Sequence, residues 1–130
     1  MKINRPNILY DERGFFTELL RTTRLLKQIS ISEVKRGVIK GWHGHHHQMQ
    51  WTFILKGSVN IVIKKNKKII KHKVRNAIFG YLLKKKELHA YKVISNKILV
   101  LYLTTGFFSP KKDEFRVKIT EKEIKKLNFK

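Results

Sequence analysis

The 130-residue sequence predicts an all-β fold, a small sandwich or barrel, with one short helix at its C-terminal end. Three observations carry this. Between Pro6 and Pro110, apolar residues recur at every second position in many short runs. Turn-forming residues separate the runs at close intervals, as they do in sandwiches and barrels. A single helix-start signal, the capping box Thr120-Glu121-Lys122-Glu123, stands near the end of the chain.

Taken in order, residues 11–14 are polar and contain a glycine, which predicts a turn, and residues 15–20 a strand leaving it. Residues 28–34 alternate Ile29 and Ile31 with polar partners, a second strand. Residues 51–55 are apolar and aromatic, and Gly57 ends them. Val59, Ile61 and Ile63 then share one face of the next strand. Lys65-Asn66-Lys67-Lys68 predicts a hairpin turn, because asparagine tolerates positive φ, and residues 69–74 return from it. Residues 79–83, 89–94 and 98–105 are three further strands. At the helix, Ile119 and Ile124 pair as a hydrophobic staple, and Ile124 and Leu127 are expected to dock it on the sheet.

The length fits one domain spanning residues 1–130. At 42% hydrophobic and 11% aromatic residues, the chain is too apolar for a disordered protein. It has no cysteine, so disulfides and thiolate metal sites are excluded. No apolar run approaches the roughly 20 residues of a membrane helix, and Met-Lys-Ile-Asn-Arg-Pro at the N-terminus lacks the apolar core of a signal peptide. A cytoplasmic protein with no membrane partner is expected. The formal charge of +21 would suit an anionic partner. However, 23 of the 30 basic residues are lysines in scattered short runs, such as Lys64-Lys65 and Lys84-Lys85-Lys86. Nucleic-acid readers cluster arginine and interleave aromatics, so solvated faces are the simpler reading and nucleic acid is not the expected partner.

The informative segment is Gly37-Val-Ile-Lys-Gly-Trp-His43-Gly-His45-His46-His47-Gln-Met-Gln50, which holds four of the six histidines. On a strand, His43, His45 and His47 project to one face and His46 to the other. Strand patterns flank the segment on both sides, which argues against a solvated tract. The spacing Gly37, His43-x-His45, Gln50, Gly57 resembles the first signature of the cupin superfamily, with Gln50 where that signature carries Glu. Lys84-Lys85-Lys86-Glu87-Leu88-His89 keeps the spacing of the second signature without its Pro and Gly. The resemblance implies that the two signatures form facing strands of a small jelly-roll barrel, with their residues converging inside.

A closer resemblance covers nearly the whole chain. Asp11-Glu-Arg13-Gly-Phe-Phe-Thr-Glu18, Gln28-x-Ser-x-Ser32, Gly37-Val-Ile-Lys40-Gly-Trp-His43, His89 and Leu101-Tyr102-Leu-Thr-Thr-Gly-Phe-Phe108-Ser-Pro110 run in one order. In this register the chain is similar to the dTDP-4-dehydrorhamnose 3,5-epimerase family, the RmlC-like cupins. The His43-Gly-His45 pair also resembles the sugar-nucleotide 3,4-ketoisomerases. The resemblance implies His43 as catalytic base and Tyr102 as proton donor. Arg13, Glu18, Gln28, Lys40, His45, Gln50 and His89 match positions around the substrate, and Phe108 an aromatic that stacks on the nucleotide base. It implies a nucleotide-diphosphate sugar as ligand, a homodimer, and no cofactor.

The chemistry suits these residue types. Epimerisation beside a ketone removes one proton and returns another on the opposite face, through an enolate whose oxygen needs stabilising. Imidazole is a base suited to neutral pH, and a phenol can return the proton. Arginine or lysine can neutralise a diphosphate. Each residue alone also has a structural reading, Tyr102 as a core tyrosine and Arg13-Gly14 as a turn. The competing chemistry is a cupin metal site, in which His43, His45, His89 and Gln50 hold a divalent transition metal.

Overall fold

Strand propensity and alternation set the local structure, and burial of apolar faces between and outside two sheets sets the rest. The computed structural model describes residues 2–107 and 114–130, excepting the side chains of Glu114 and Phe115. In chain order the strands are β1 (Lys2–Asn4), β2 (Ile8–Asp11), β3 (Gly14–Thr17), β4 (Gln28–Lys35), β5 (Ile39–His45) and β6 (Gln50–Lys56). There follow β7 (Ser58–Lys65), β8 (Lys68–Arg75), β9 (Phe79–Leu83), β10 (Leu88–Val93), β11 (Lys97–Thr104) and β12 (Glu114–Arg116), then the helix α1 (Glu121–Lys125).

Two five-stranded antiparallel sheets form, ordered β1-β9-β6-β11-β4 and β12-β5-β10-β7-β8. They enclose one core between them, built from Ile54, Tyr81 and Val100 of the first sheet and Val59, Ile61, Ile63 and Val93 of the second. This is the small jelly-roll barrel with a short C-terminal helix that the alternation and the cupin spacing predict. The hairpin turn falls at Asn66, with φ of 55°, between the paired residues Lys65 and Lys68.

The outer faces are covered as well. Trp42, Val62, Ala90 and Leu127 form a second cluster outside the β5–β10–β7 layer. The capping box holds as predicted, with the Thr120 side chain accepting from the Glu123 amide and the Glu123 carboxylate from the Thr120 amide. Trp42 Nε1 donates to Glu123 Oε2 at 2.9 Å, and Asn60 Nδ2 donates to the carbonyls of Leu127 and Phe129, each at 2.7 Å. These bonds explain how Asn60 is fully buried in an otherwise apolar strand. Leu127 is buried against the sheet, while Ile124 is only half-buried.

The short strands β1, β2 and β12 have no counterpart among the predicted strands, and one predicted strand differs from expectation. The segment predicted over 15–20 ends at Thr17 and pairs only with β2, as a separate two-stranded sheet. Leu19 and Leu20 leave it to cover the outside of the first sheet beside Trp51, Phe53 and Leu82. Packing of these two leucines overrides their strand pattern. None of the described helices is long and apolar enough to cross a membrane.

Candidate active site

A cavity of about 250 Å³ opens between the two sheets. The second sheet lines it with Lys40, His43, His45, His89, Tyr91 and Arg116. The first sheet supplies Gln28, Ser30, Ser32, Gln50, Tyr102 and Thr104, and Gln48 closes one side. No Asp or Glu is among the described lining residues, while Lys40 and Arg116 are cations. A cavity of this composition favours an anionic guest.

Register explains how the side chains converge. His43 pairs with His89 on one side and Arg116 on the other, so the three form one row across β12, β5 and β10. Tyr102 stands in the opposing row of the first sheet, paired with Ser30 and Thr52. Along β10, His89 and Tyr91 are two residues apart, yet their β5 partners His43 and Lys40 are three apart. The extra residue is a bulge. It lets Lys40 and His43 share the inner face while Trp42 points outward to the helix.

Gly41 makes the bulge possible. Its φ is +129°, and a Cβ there would stand 2.6 Å from Ala90 Cα and 2.8 Å from the His89 carbonyl oxygen. Gly41→Ala should cost about 2–4 kcal/mol through overpacking and backbone strain. Thermal unfolding checks this: a melting temperature within a degree of wild type would mean the bulge relaxes freely.

Buried polar contacts define the cavity wall. His45 Nε2 is 3.0 Å from Gln50 Oε1, and His89 Nδ1 is 2.7 Å from the Tyr81 hydroxyl. Tyr102 accepts from the Ser32 hydroxyl at 3.3 Å and lies 3.4 Å from the Tyr91 hydroxyl. Burial raises the Tyr81 and Tyr91 phenols well above their ordinary range, with Tyr102 adding to both shifts. Burial, reinforced by the neighbouring His43 and His45, pushes His89 down to about 3. His89 is therefore neutral at physiological pH and can offer a hydrogen bond but no charge.

That shift has a stability consequence. An unfolded histidine titrates near ~6.5, whereas folded His89 resists protonation down to about 3. The unfolded chain thus binds more protons across that window. The contribution is fully present above the upper value and is lost as pH falls towards the lower one, with a slope of up to about 1.4 kcal/mol per pH unit. Denaturation midpoints measured from pH 7 to pH 3 should show a drop that His89→Gln flattens. Equal slopes for both proteins would remove His89 as the cause.

The structure brings together seven of the residues singled out in the sequence: Gln28, Lys40, His43, His45, Gln50, His89 and Tyr102. Arg13 and Glu18 lie elsewhere in the single chain. Arg13 is exposed in the β2–β3 turn and ion-paired with Asp11, and Glu18 is exposed and bonded to Arg21. Their hairpin pairs with neither large sheet, and neither residue is among the described residues that line the cavity. Phe108 lies outside the described residues. The strand reading of His47 is corrected: β5 stops at His45, and His46 and His47 are exposed with their rings 6.0 Å apart. The two signatures are also neighbours rather than facing strands, since His43 and His89 are cross-strand partners.

Sequence reasoning named Ser30 and Ser32 only as part of a motif, without a place in the cavity, and missed Tyr91 and Arg116. Ser30 and Ser32 follow Gln28 at period two, and Tyr91 follows His89 in the same way, so alternation alone could have found them. Nothing local marks Arg116. The metal reading does not fit the geometry. Among the described residues no group of three or more His, Cys, Asp or Glu side chains is placed to hold an ion.

The molecule has the jelly-roll barrel fold of the RmlC-like structures, with a histidine row on one sheet opposite a tyrosine on the other. The chain belongs to the polysaccharide biosynthesis C-terminal domain family, which it matches over residues 9–115. It is 31% identical over 121 residues to the spore coat polysaccharide biosynthesis protein SpsL of Bacillus subtilis (strain 168), covering 82% of this chain and 80% of that one. Among solved structures, it is similar to the dTDP-6-deoxy-D-glucose-3,5-epimerase RmlC of Legionella pneumophila in complex with dTDP-4-keto-L-rhamnose. That match has a TM-score of 0.78 and 22% identity, and covers 94% of this chain and 74% of that one. The 3'-monoepimerase ChmJ of Streptomyces bikiniensis matches with a TM-score of 0.73 and 17% identity, over 88% of this chain and 68% of that one. At these identities the structural likeness speaks for the fold.

Proposed function

We propose that the protein is a sugar-nucleotide isomerase, an epimerase acting beside the C4 ketone of a 4-keto-6-deoxyhexose nucleotide. The observation that carries this is the placement of His43 and Tyr102 on opposite walls of one cavity whose described lining residues include two cations and no acid. His43 takes the proton from the carbon next to the ketone. The electron pair moves into an enolate, whose oxygen is stabilised by hydrogen bonding from His89 or by the charge of Lys40. Tyr102 then delivers a proton from the other face. Lys40 and Arg116 neutralise the diphosphate. Only protons move, so the reaction as written needs no cofactor.

The test is deuterium wash-in at C3 and C5 of candidate 4-keto sugars linked to dTDP, UDP or GDP. Exchange with inversion supports the epimerase. Exchange at C3 with the carbonyl moved from C4 to C3 would indicate a 3,4-ketoisomerase, a reading favoured by the entry of His45 into the cavity beside His43. No exchange with any of the three nucleotides would sink both.

We further propose that the working form is a homodimer. Leu9, Tyr10, Phe15 and Phe16 of the β2–β3 hairpin are largely exposed, as are Ile29 and Ile31 on the edge strand β4. Apolar faces and an open sheet edge of this kind invite a second copy. Such pairing would carry Arg13 and Glu18 towards the partner's cavity. Nucleotide sugars are cytoplasmic metabolites, and we place the reaction in that compartment.

A further inference from the structure

A pair of phenols bridges the two walls of the cavity. Tyr91 follows His89 by two residues on β10, so both side chains face inward. Tyr102 stands on β11 of the opposite sheet. The hydroxyls of Tyr91 and Tyr102 are 3.4 Å apart, and the Ser32 hydroxyl lies 3.3 Å from the same Tyr102 oxygen. That oxygen thus has a hydroxyl neighbour from each sheet, Ser32 from β4 beside it and Tyr91 from across the cavity.

The two phenols are not equivalent. Tyr91 is 2% exposed and packed into the core between the sheets, whereas Tyr102 is only half-buried. Burial keeps the proton on Tyr91, and the nearby Tyr102 reinforces this, because two phenolates so close would repel. A guest meets Tyr102 as the more accessible phenol, with Tyr91 behind it as a hydroxyl that stays protonated.

While both phenols are neutral, either can donate to the other. Ionisation of Tyr102 removes the choice. A phenolate oxygen only accepts, so the Ser32 and Tyr91 protons both turn towards it. The resting contacts are long for O–H···O bonds, and a charged acceptor draws such bonds in to about 2.5–2.7 Å. Their gain is small in the resting molecule and largest once Tyr102 has lost its proton. Only an interaction that strengthens along the reaction speeds it.

We propose that Tyr91 is a positioning residue that, together with Ser32, stabilises by hydrogen bonding the negative charge left on Tyr102 after that phenol has given its proton away. The catalytic meaning rests on the isomerase reading. In that reaction the Tyr102 O–H bond breaks and a C–H bond forms on the far face of the enolate, while the O–H electron pair stays on the phenol oxygen. The charge is held there until water returns a proton to Tyr102 and takes one from the imidazolium of His43. Tyr91 gives up no proton in this cycle. Its hydroxyl is shared and not transferred.

The test follows the Tyr102 phenol by 13C NMR of protein labelled at tyrosine Cζ, titrated upward from neutral pH, with Tyr102→Phe to assign its resonance. Tyr91→Phe keeps the ring and removes only the hydroxyl. It should move the ionisation of Tyr102 to higher pH by about one pH unit. Ser32→Ala, on the other sheet, should move it in the same direction. In both variants the alkaline limb of the inversion rate, where Tyr102 loses the proton it must deliver, should move up with the titration. The acid limb, set by His43, should stay. Inversion at the plateau should fall by about tenfold in each, with KM changed much less. A packing defect would lower the rate and leave the limb in place.

A Tyr102 titration that ignores both substitutions overturns the proposal. So does a wild-type protein in which Tyr91 ionises before Tyr102. Shifted titrations in a protein that inverts no 4-keto sugar would keep the phenol pair and discard the isomerase. Unshifted titrations in an active isomerase would do the reverse.

Discussion

His43→Asn should slow deuterium wash-in beside the ketone by about 10²–10⁴-fold, the usual worth of a positioned base. An amide of similar shape has no basic nitrogen, so proton abstraction falls to solvent. Binding should survive, because Lys40 and Arg116 still line the cavity and can meet the proposed diphosphate. The loss should therefore appear in kcat, with KM within a few fold of wild type. His43 is half-buried at the cavity wall and stands outside the clusters that hold the sheets together, so the variant should fold. A melting curve alongside the kinetics separates lost chemistry from lost structure. Exchange within tenfold of wild type would assign the base elsewhere.

Tyr102→Phe should part exchange from inversion. Tyr102 sits on the sheet opposite His43, so its phenol is the group placed to deliver a proton to the far face. Without it the base can still remove a proton, exchange it with solvent and return it to the side it came from. Label should then enter the starting sugar with its configuration kept, while inverted product falls by about 10²–10⁴-fold. The structural cost is small. The change removes contacts at 3.3 and 3.4 Å with the hydroxyls of Ser32 and Tyr91, worth about 1 kcal/mol in sum for bonds of this length. Undiminished inversion would reduce Tyr102 to a packing residue. Equal loss of exchange and inversion would make it the base.

Much of the molecule was readable one residue at a time. Apolar patterning located β4 and the strands from β6 through β11 closely, because a strand with one face to a core must place apolar side chains at period two. Asn66 at the hairpin and the Thr120–Glu123 box at the helix are local chemistry, complete within four residues. The pairing of His43 with His45 on one face follows from the same period. The extension of that face to His47 failed because alternation says nothing of where a strand stops. Lys40 is the sharper case. Three residues separate it from His43, so a regular strand would send the two to opposite faces. The bulge at Gly41 reverses this, and a glycine in a strand pattern hints at a bulge without showing which neighbours it realigns.

By itself, then, the sequence determined the kind of element over most of the two sheets and, within regular strands, the face each side chain takes, because both follow from the geometry of a few consecutive residues. Only the tertiary structure decided which strands lie side by side. It set His89 and Arg116 beside His43, placed Tyr102 across from them, and left Arg13 and Glu18 outside. It also set His45 against the Gln50 amide and His89 against the Tyr81 hydroxyl. Alternation is the same for many strand orders. Sheet order, register and hydrogen-bond polarity arise only when residues far apart in the chain compete for the same buried partners.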